Sequence, residues 1–331
     1  MDGGEGYARS ILLSCGFLPK PSQDKRRKKQ MSVAHAQALS LLSTPAEVRQ
    51  FVREQKKLGK TIGFVPTMGF LHEGHASLFK KAVATSDCVI VSCFVNPTQF
   101  GEKDDYVNYP KDPLRDRQLA ESCGVNALFL PESSVIYPNG EQVTVKVNEK
   151  TNVLCGKSRP GHFDGVATVL TKLFTIAQPD RVYFGMKDAQ QVAIVSSLIE
   201  SFHFSIELIA CPIVREQDGL AKSSRNVRLL PEERREAPEL YKGLQLGSEL
   251  ILKGARDFDQ MICAVHSYYE EHLMLGNVDY IDVLNYPELT RTGATMSGRI
   301  IIACAVRYSS ARLIDNITIT FDRDKSEDSV Q

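Results

Sequence analysis

The chain has 331 residues, with 40 basic side chains against 40 acidic ones and a formal charge of zero at neutral pH. That balance excludes the global field that draws a protein to nucleic acid or to an anionic membrane. No apolar stretch reaches the roughly eighteen residues of a membrane span, and eight cysteines are scattered without a Cys-x-x-Cys pair, as expected of buried thiols in a reducing compartment.

Residues 1–40 differ in character from the rest of the chain. The apolar piece Ile11-Leu12-Leu13 precedes the basic cluster Lys25-Arg26-Arg27-Lys28-Lys29, whereas a secretory signal places its charges first, and Asp2 and Glu5 argue against a transit peptide. This part reads as a disordered extension, with a nuclear or mitochondrial address as the lesser alternative. Folding is expected to begin at Thr44-Pro45-Ala46-Glu47, a capping box with proline at the first helical position. The helix it opens, with Val48, Phe51, Val52 and Leu58 on one face, stops at Gly59.

Thr61-Ile62-Gly63-Phe64-Val65 is a short β-branched run of the kind found inside a parallel sheet, and the strand should stop at Pro66. Next comes Pro66-Thr67-Met68-Gly69-Phe70-Leu71-His72-Glu73-Gly74-His75, a glycine-containing turn leading into a helix read from Ala76 to Val83. Such a strand, loop and helix start gather free N–H groups and the positive end of a helix dipole at one spot, which favours phosphate. His72 and His75 stand there. Three residues apart, they lack the spacing of a zinc-protease helix, and no third histidine or cysteine lies nearby in sequence, so no metal site is expected on this pair. If both rings meet a triphosphate, a close ion pair of about 4 kcal/mol outweighs a dipole effect of about 0.3–1 kcal/mol, and imidazolium is expected. A helix cap is the structural alternative for either ring.

Cys88 to Val95 is a second buried strand running into Asn96-Pro97-Thr98-Gln99-Phe100, which places Asn96 and Gln99 at a strand's carboxyl end. By itself the segment reads equally as a polar turn. A helix over 113–123, a strand over 126–130 and a helix over 166–177 come next. A fourth strand, Arg181-Val182-Tyr183-Phe184, delivers Gly185-Met186-Lys187-Asp188-Ala189-Gln190-Gln191 to a helix start. Asp188 reads as its N-cap, with Gln191 one turn along. A fifth strand over 206–214 completes a βαβαβ series with all carboxyl ends at one edge. The loop Asp218-Gly219-Leu220-Ala221-Lys222-Ser223-Ser224-Arg225-Asn226 then offers phosphate donors, or an exposed basic turn. Two amphipathic helices over 231–252 and 258–274 precede strands near 278–284, 299–306 and 312–320. The expected architecture is α/β: a Rossmann-like, doubly wound parallel sheet over 41–213, a smaller α+β domain over 214–322, and a disordered tail over 323–331.

Taken together, the histidine loop, Phe94-Val95-Asn96-Pro97-Thr98-Gln99-Phe100, Arg159-Pro160-Gly161-His162-Phe163, the Gly185 loop, the Ser223-Ser224 loop and Arg312-Leu313-Ile314-Asp315-Asn316 resemble the pantothenate synthetase family, in its order, from about residue 40 to 320. The resemblance implies a two-step ligation that uses ATP and Mg2+. Pantoate forms pantoyl adenylate, and β-alanine then displaces AMP in a typically cytosolic homodimer, with no nucleic acid or membrane partner. It also implies that Met68, Gly69, His72, Gly74, His75, Gly185, Met186, Lys187, Asp188, Val214, Lys222, Ser223, Ser224 and Arg225 bind ATP. The same resemblance implies that His75, His72, Lys187 and Arg225 act in catalysis, with His75 the candidate proton donor. Gln99, Gln191 and Asn96 hold pantoate or β-alanine, and Asp188 meets the nucleotide or its Mg2+. Met186 and Lys222 depart from the family pattern, and Lys222 is expected to make nucleotide binding tighter and more salt-sensitive. A cytidylyltransferase-like enzyme and a nucleotide binder without turnover remain as rival readings.

Overall fold

Thr44 caps the first helix as its sequence requires: its hydroxyl accepts the Glu47 N–H while the Glu47 carboxylate accepts the Thr44 N–H. In this computed structural model, which describes residues 38–100, 106–291, 298–320 and 329–330, that helix is α1 (Pro45–Lys57). It is preceded by a three-residue strand, β1 (Ser40–Leu42), that its sequence does not announce. The chain continues through β2 (Ile62–Thr67), α2 (Glu73–Thr85), β3 (Cys88–Cys93), α3 (Pro113–Ser122), β4 (Ala127–Phe129), α4 (His162–Ala177), β5 (Arg181–Gly185), α5 (Ala189–Ser201) and β6 (Glu207–Cys211). The extension over 1–37, with its apolar piece and basic cluster, lies outside the described residues. So does most of the tail over 323–331, of which only Ser329–Val330 is described.

The first six strands form one parallel sheet in the order β1-β4-β3-β2-β5-β6. Both faces are covered, as parallel sheets require. Phe51, Leu170, Phe174 and Ile194 pack on one side; Leu71, Phe79, Val89 and Leu128 pack on the other. The order of strands reverses between β2 and β5. Open α/β sheets bind ligands at such a switch point, beyond the carboxyl ends of the strands.

Beyond β6 come a short helix (Pro231–Glu236), α6 (Glu239–Leu252) and α7 (Phe258–His272). β7 (Asn277–Asn285), β8 (Arg299–Arg307) and β9 (Arg312–Thr320) then form an antiparallel sheet with the two-residue β10 (Ser329–Val330) at its edge. β8 is apolar on both faces because both are buried. Ile300, Ile302, Cys304 and Val306 face α6 and α7, whereas Ile301 and Ala303 join the core of the large sheet. The two sheets therefore share apolar packing, and residues 38–331 form one unit.

Local expectations differ in four places. β2 runs through Pro66 because β5 pairs with β2 only at Gly63 and Phe64, so the proline nitrogen, which cannot donate, sits where that side of the strand is already released. α2 starts at Glu73, not Ala76, which puts His75 inside its first turn. α4 starts at His162, ahead of the expected Val166. The single helix expected over 231–252 is two, broken at Pro238, whose missing N–H interrupts the helical ladder.

Candidate active site

At the switch point the loop after β2 turns sharply, with Gly69 at φ +84° and Phe70 at φ +50°. A carboxylate from another element holds this shape. Asp116, on the first turn of α3 and 3% exposed, accepts the N–H of Phe70 at 2.9 Å and of Leu71 at 2.6 Å. Burial raises its pKa, and the two N–H groups offset part of that rise.

The next residues form a reciprocal cap built from two imidazoles. His72 is the N-cap of α2, and its Nδ1 accepts the Gly74 N–H at 3.1 Å; His75 Nδ1 accepts the His72 N–H at 3.3 Å. The rings lie 4.1 Å apart, centroid to centroid. A Cβ at position 74 would sit 2.8 Å from the His72 ring, so the turn requires glycine. The capping role and the site role thus fall on the same two side chains. Both Nδ1 atoms are acceptors, so each neutral ring carries its proton on Nε2. Burial, followed by the charge of Lys187, moves the His72 pKa down to about 4. His75 is held well below its ordinary value by burial, His72 and Lys187, in that order. Without nucleotide, protonation would break both backbone bonds and add charge beside Lys187, so the unliganded site holds two neutral Nε2–H donors; the imidazolium expected beside a bound triphosphate belongs to the liganded state.

The loop after β3 meets them from one side. Asn96, 1% exposed, spends its amide inside the protein: Oδ1 accepts from Tyr137 Oη at 2.9 Å, and Nδ2 donates to the Gly165 carbonyl at 3.1 Å and to Gln99 Oε1 at 3.3 Å. It thereby orients the Gln99 amide. Gly165 on α4 makes this approach possible, since a Cβ there would meet the Thr98 carbonyl oxygen at 2.3 Å. His162 Nδ1 donates to the Gln99 carbonyl at 2.7 Å and Arg159 Nη1 donates to His162 Nε2 at 3.3 Å; burial and Arg159 bring the His162 pKa down to about 4.

From the other side come the loops after β5 and β6. Asn316 of β9 donates to the carbonyls of Met186 and Lys187 at 2.9 and 3.0 Å, which fixes the turn that presents Lys187. Asp188 occupies the N-cap position of α5, yet its side chain makes no capping bond. The carboxylate is exposed, 3.9 Å from Lys187 Nζ. Arg215 binds the buried Asp315 carboxylate through both oxygens, at 2.6 and 3.0 Å, and anchors the Ser223-Ser224 loop to β9. Lys222 pairs with Glu73, so its charge is partly neutralised by the histidine motif itself, which the sequence does not suggest.

These loops enclose a cavity of about 210 Å³. Every site residue expected from the sequence lines it except two: Met68, His72, Gly74, His75, Asn96, Gln99, Gly185, Lys187, Asp188, Gln191, Val214, Lys222, Ser223, Ser224 and Arg225 are all on its wall. Gly69 lies behind the wall against Asp116. Met186 packs into the core beside Tyr286, so its departure from the family pattern changes the core and not the cavity wall. Phe94, Val166, Val169, Leu170 and Leu173 supply an apolar floor. Lys187, Asp188, Gln191 and Arg225 also line an adjoining cavity of about 430 Å³ that carries Arg159, Arg228, Arg307 and Arg312. Asp116 and Tyr137 escape reasoning from the sequence, and Asn316, though part of the Arg312–Asn316 motif, received no role there, because a carboxylate on a polar helix face and an asparagine in a strand carry no local signal of a remote partner.

The arrangement offers cationic and neutral N–H donors together with the amides of Gln99 and Gln191 on the wall of one apolar-floored pocket. That suits a phosphorylated ligand meeting a small hydroxy acid. Comparison with known proteins agrees. The family model described as pantoate-beta-alanine ligase matches residues 40–318. A pantothenate synthetase of Geobacillus sp. (strain WCH70) is 54% identical over 280 residues, covering 84% of this chain and 99% of the relative. One from Bacillus subtilis (strain 168) is 52% identical over 274 residues, covering 83% and 95%. The crystal structure of pantothenate synthetase from Thermus thermophilus superposes with a TM-score of 0.79 at 39% identity, covering 84% and 98%. That of pantoate-beta-alanine ligase from Francisella tularensis, complexed with beta-gamma ATP and beta-alanine, gives 0.69 at 35%, covering 84% and 97%.

Proposed function

The chain belongs to the pantoate-beta-alanine ligase family, and on that premise we propose how its own residues divide the ATP-dependent condensation of pantoate with β-alanine to pantothenate. The reaction has two steps. A pantoate carboxylate oxygen bonds to the α-phosphorus of ATP as pyrophosphate leaves. The amine of β-alanine then attacks the acyl carbon, AMP departs, and the nitrogen loses a proton.

The observation that carries the assignment of roles is convergence: Gln99, Lys187, Arg225 and the paired histidines, from widely separated segments, wall one cavity. The chemistry develops negative charge at the α-phosphate and at the departing pyrophosphate, and fixed N–H donors answer it without a covalent nucleophile. His72 and His75 supply Nε2–H donors to those oxygens, and Lys187, Arg225, Ser223 and Ser224 add charged and hydroxyl donors. The amides of Gln99 and Gln191 can accept from pantoate's hydroxyls and donate to its carboxylate, while the apolar floor takes its geminal methyl groups. Asn96 acts by holding Gln99.

Mg2+ fits the donor set as a partner of the nucleotide. No group of three or more metal-ligating side chains occurs among the described residues, whereas Asp188 presents one uncapped carboxylate at the cavity, and Mg2+ is commonly held by one or two carboxylates plus substrate phosphates. When bound it would neutralise phosphate charge. The family resemblance supports a cytosolic homodimer, and no helix among the described residues is long and apolar enough to cross a membrane.

The test is product release by the purified chain. Pyrophosphate should appear on adding ATP, Mg2+ and pantoate, AMP should appear only when β-alanine is also present, and His75→Ala should abolish the first step while leaving the fold intact. ATP binding without pantoate-dependent pyrophosphate release would overturn the reading in favour of a nucleotide binder.

A further inference from the structure

The reaction brings three substrates together, and the cavity that gathers Gln99, Lys187 and the histidines has a volume of about 210 Å³. Pockets for drug-sized ligands run to about 300–1,000 Å³, so nucleotide and pantoate fill this one before an acceptor amine arrives. The adjoining cavity of about 430 Å³ offers the further space. Gln191 lies on the wall of both, which puts a pantoyl group held by that amide at their junction. Ser223 and Ser224 wall the smaller cavity alone, so the nucleotide lies on that side of the junction and the larger cavity is open on the other.

The larger cavity is rich in cations, and one of them is placed by its bonds beside the pantoate loop. Lys187, Arg225 and Arg228 belong to the two phosphate loops, and Arg307 is exposed. Arg312 is committed to its neighbours: Nε donates to Asp279 at 2.8 Å, Nη1 to Cys155 Sγ at 3.4 Å and Nη2 to Ser158 Oγ at 3.0 Å. Arg159 lines the larger cavity and not the smaller. It opens a tight turn in which the His162 N–H donates to the Arg159 carbonyl at 3.1 Å and Gly161 takes φ +79°. Arg159 Nη2 then donates to the Gln99 carbonyl at 3.2 Å, the same oxygen that His162 Nδ1 meets at 2.7 Å.

We propose that Arg159 receives the carboxylate of β-alanine, which enters through the larger cavity while its amine meets the pantoyl group at the junction. The inference rests on the ligase reading and names the residue that selects the acceptor. In β-alanine three covalent bonds separate the nitrogen from the carboxyl carbon, a span of about 4 Å, and a charge-assisted hydrogen bond adds about 2.8 Å. The cation that recognises the acceptor therefore has to stand next to the loop that holds pantoate. Arg159, bonded to the backbone of Gln99, stands there. A guanidinium carries five N–H donors in a planar fork, enough to brace the loop and pair with a carboxylate. The bracing bonds also fix its position before the acceptor arrives, so less side-chain freedom is lost on binding.

The test compares β-alanine with β-alaninamide, which keeps the amine and loses the negative charge, as acceptors for the full chain supplied with ATP, Mg2+ and pantoate. AMP release above the rate without acceptor gives kcat/KM for each. The wild type should favour β-alanine by at least about tenfold, the lower end of what one hydrogen bond to a charged group contributes. Arg159→Gln should bring that ratio close to one. Arg159→Lys, which keeps the charge and loses the fork, should fall between the two and decides the matter where the glutamine variant does not fold. Arg312→Gln should keep the wild-type ratio. Disturbing the Gln99 loop alone slows both acceptors together and leaves the ratio where it was, so an unchanged ratio in the Arg159 variants overturns the assignment. A wild type that uses the two acceptors equally, or a ratio that collapses in Arg312→Gln instead, overturns it as well. Pantoate-dependent pyrophosphate release, followed in the same samples, keeps the ligase reading standing whichever way the ratio falls; its absence from the wild type overturns both.

Discussion

Replacing Asp116 by asparagine separates the order of the histidine loop from the rest of the site. The carboxylate accepts two N–H groups, from Phe70 and Leu71; an amide keeps one acceptor oxygen and turns an NH2 toward the other N–H. A hydrogen bond to a charged group contributes about 1.5–3 kcal/mol, and a buried unsatisfied donor costs about 1–3 kcal/mol. Against this, the raised pKa of Asp116 means that its buried charge is itself unfavourable, and the asparagine variant is spared that cost. Net loosening of the loop by about 2 kcal/mol corresponds to about 30-fold, and it should appear as a loss of that order in kcat/KM for ATP. The pantoate dissociation constant, measured by calorimetry, should stay within about twofold, because Gln99 and Gln191 stand on other elements. Global melting should move by no more than about 5 °C. An Asp116→Asn enzyme with wild-type kcat/KM for ATP, or one that loses pantoate and ATP binding equally, would refute the reasoning.

The same geometry leads to three further outcomes. The folded-state pKa of His72, about 4 against 6.5 when unperturbed, means that its neutral state contributes stability above about pH 6.5 that is lost as pH falls toward 4; urea unfolding of His72→Asn should show a shallower decline across that window. Lys222→Met exposes Glu73 to the triphosphate and should weaken ATP binding about threefold to tenfold at low salt and less at high salt, with Glu73→Gln in the same chain restoring most of it; equal affinities at both salts would remove the Lys222–Glu73 pair from consideration. Gly165→Ala drives a methyl group into the Thr98 carbonyl, and overpacking of this kind costs about 1–3 kcal/mol; it should raise the KM for pantoate at least about tenfold while altering the KM for ATP little.

Much of the site is legible in the sequence because each piece is a local event. The Thr44 capping box, the run ending in Val65, and the glycines at positions 69 and 74 are set by backbone preferences within a few residues, so the strands, the loops and the start of α1 can be placed from the chain alone, whereas α2 and α4 begin three and four residues earlier than expected. Boundaries drift where a partner decides them, as when β2 continues through Pro66 because β5 has already parted from it. The paired capping of His72 and His75 is local too, but their protonation depends on burial and on Lys187, more than a hundred residues away in the chain.

Without any fold in hand, the order of residues already shows three glycine-bearing or basic loops after strands whose carboxyl ends share one edge, with side chains suited to phosphate and to a hydroxy acid. That they form one pocket depends on strand order, since β2 and β5 become neighbours only in the folded sheet. Folding likewise sorts the polar groups into those committed to the protein and those facing the cavity. Asp116, Asn96, Asn316 and Asp315 are bound by partners that no local pattern could name, whereas Asp188 and Gln191 keep side chains turned to the pocket. The difference is one of range: backbone conformation and side-chain alternation act over a few residues, whereas burial and hydrogen-bond satisfaction depend on whatever else the fold brings within about 3 Å.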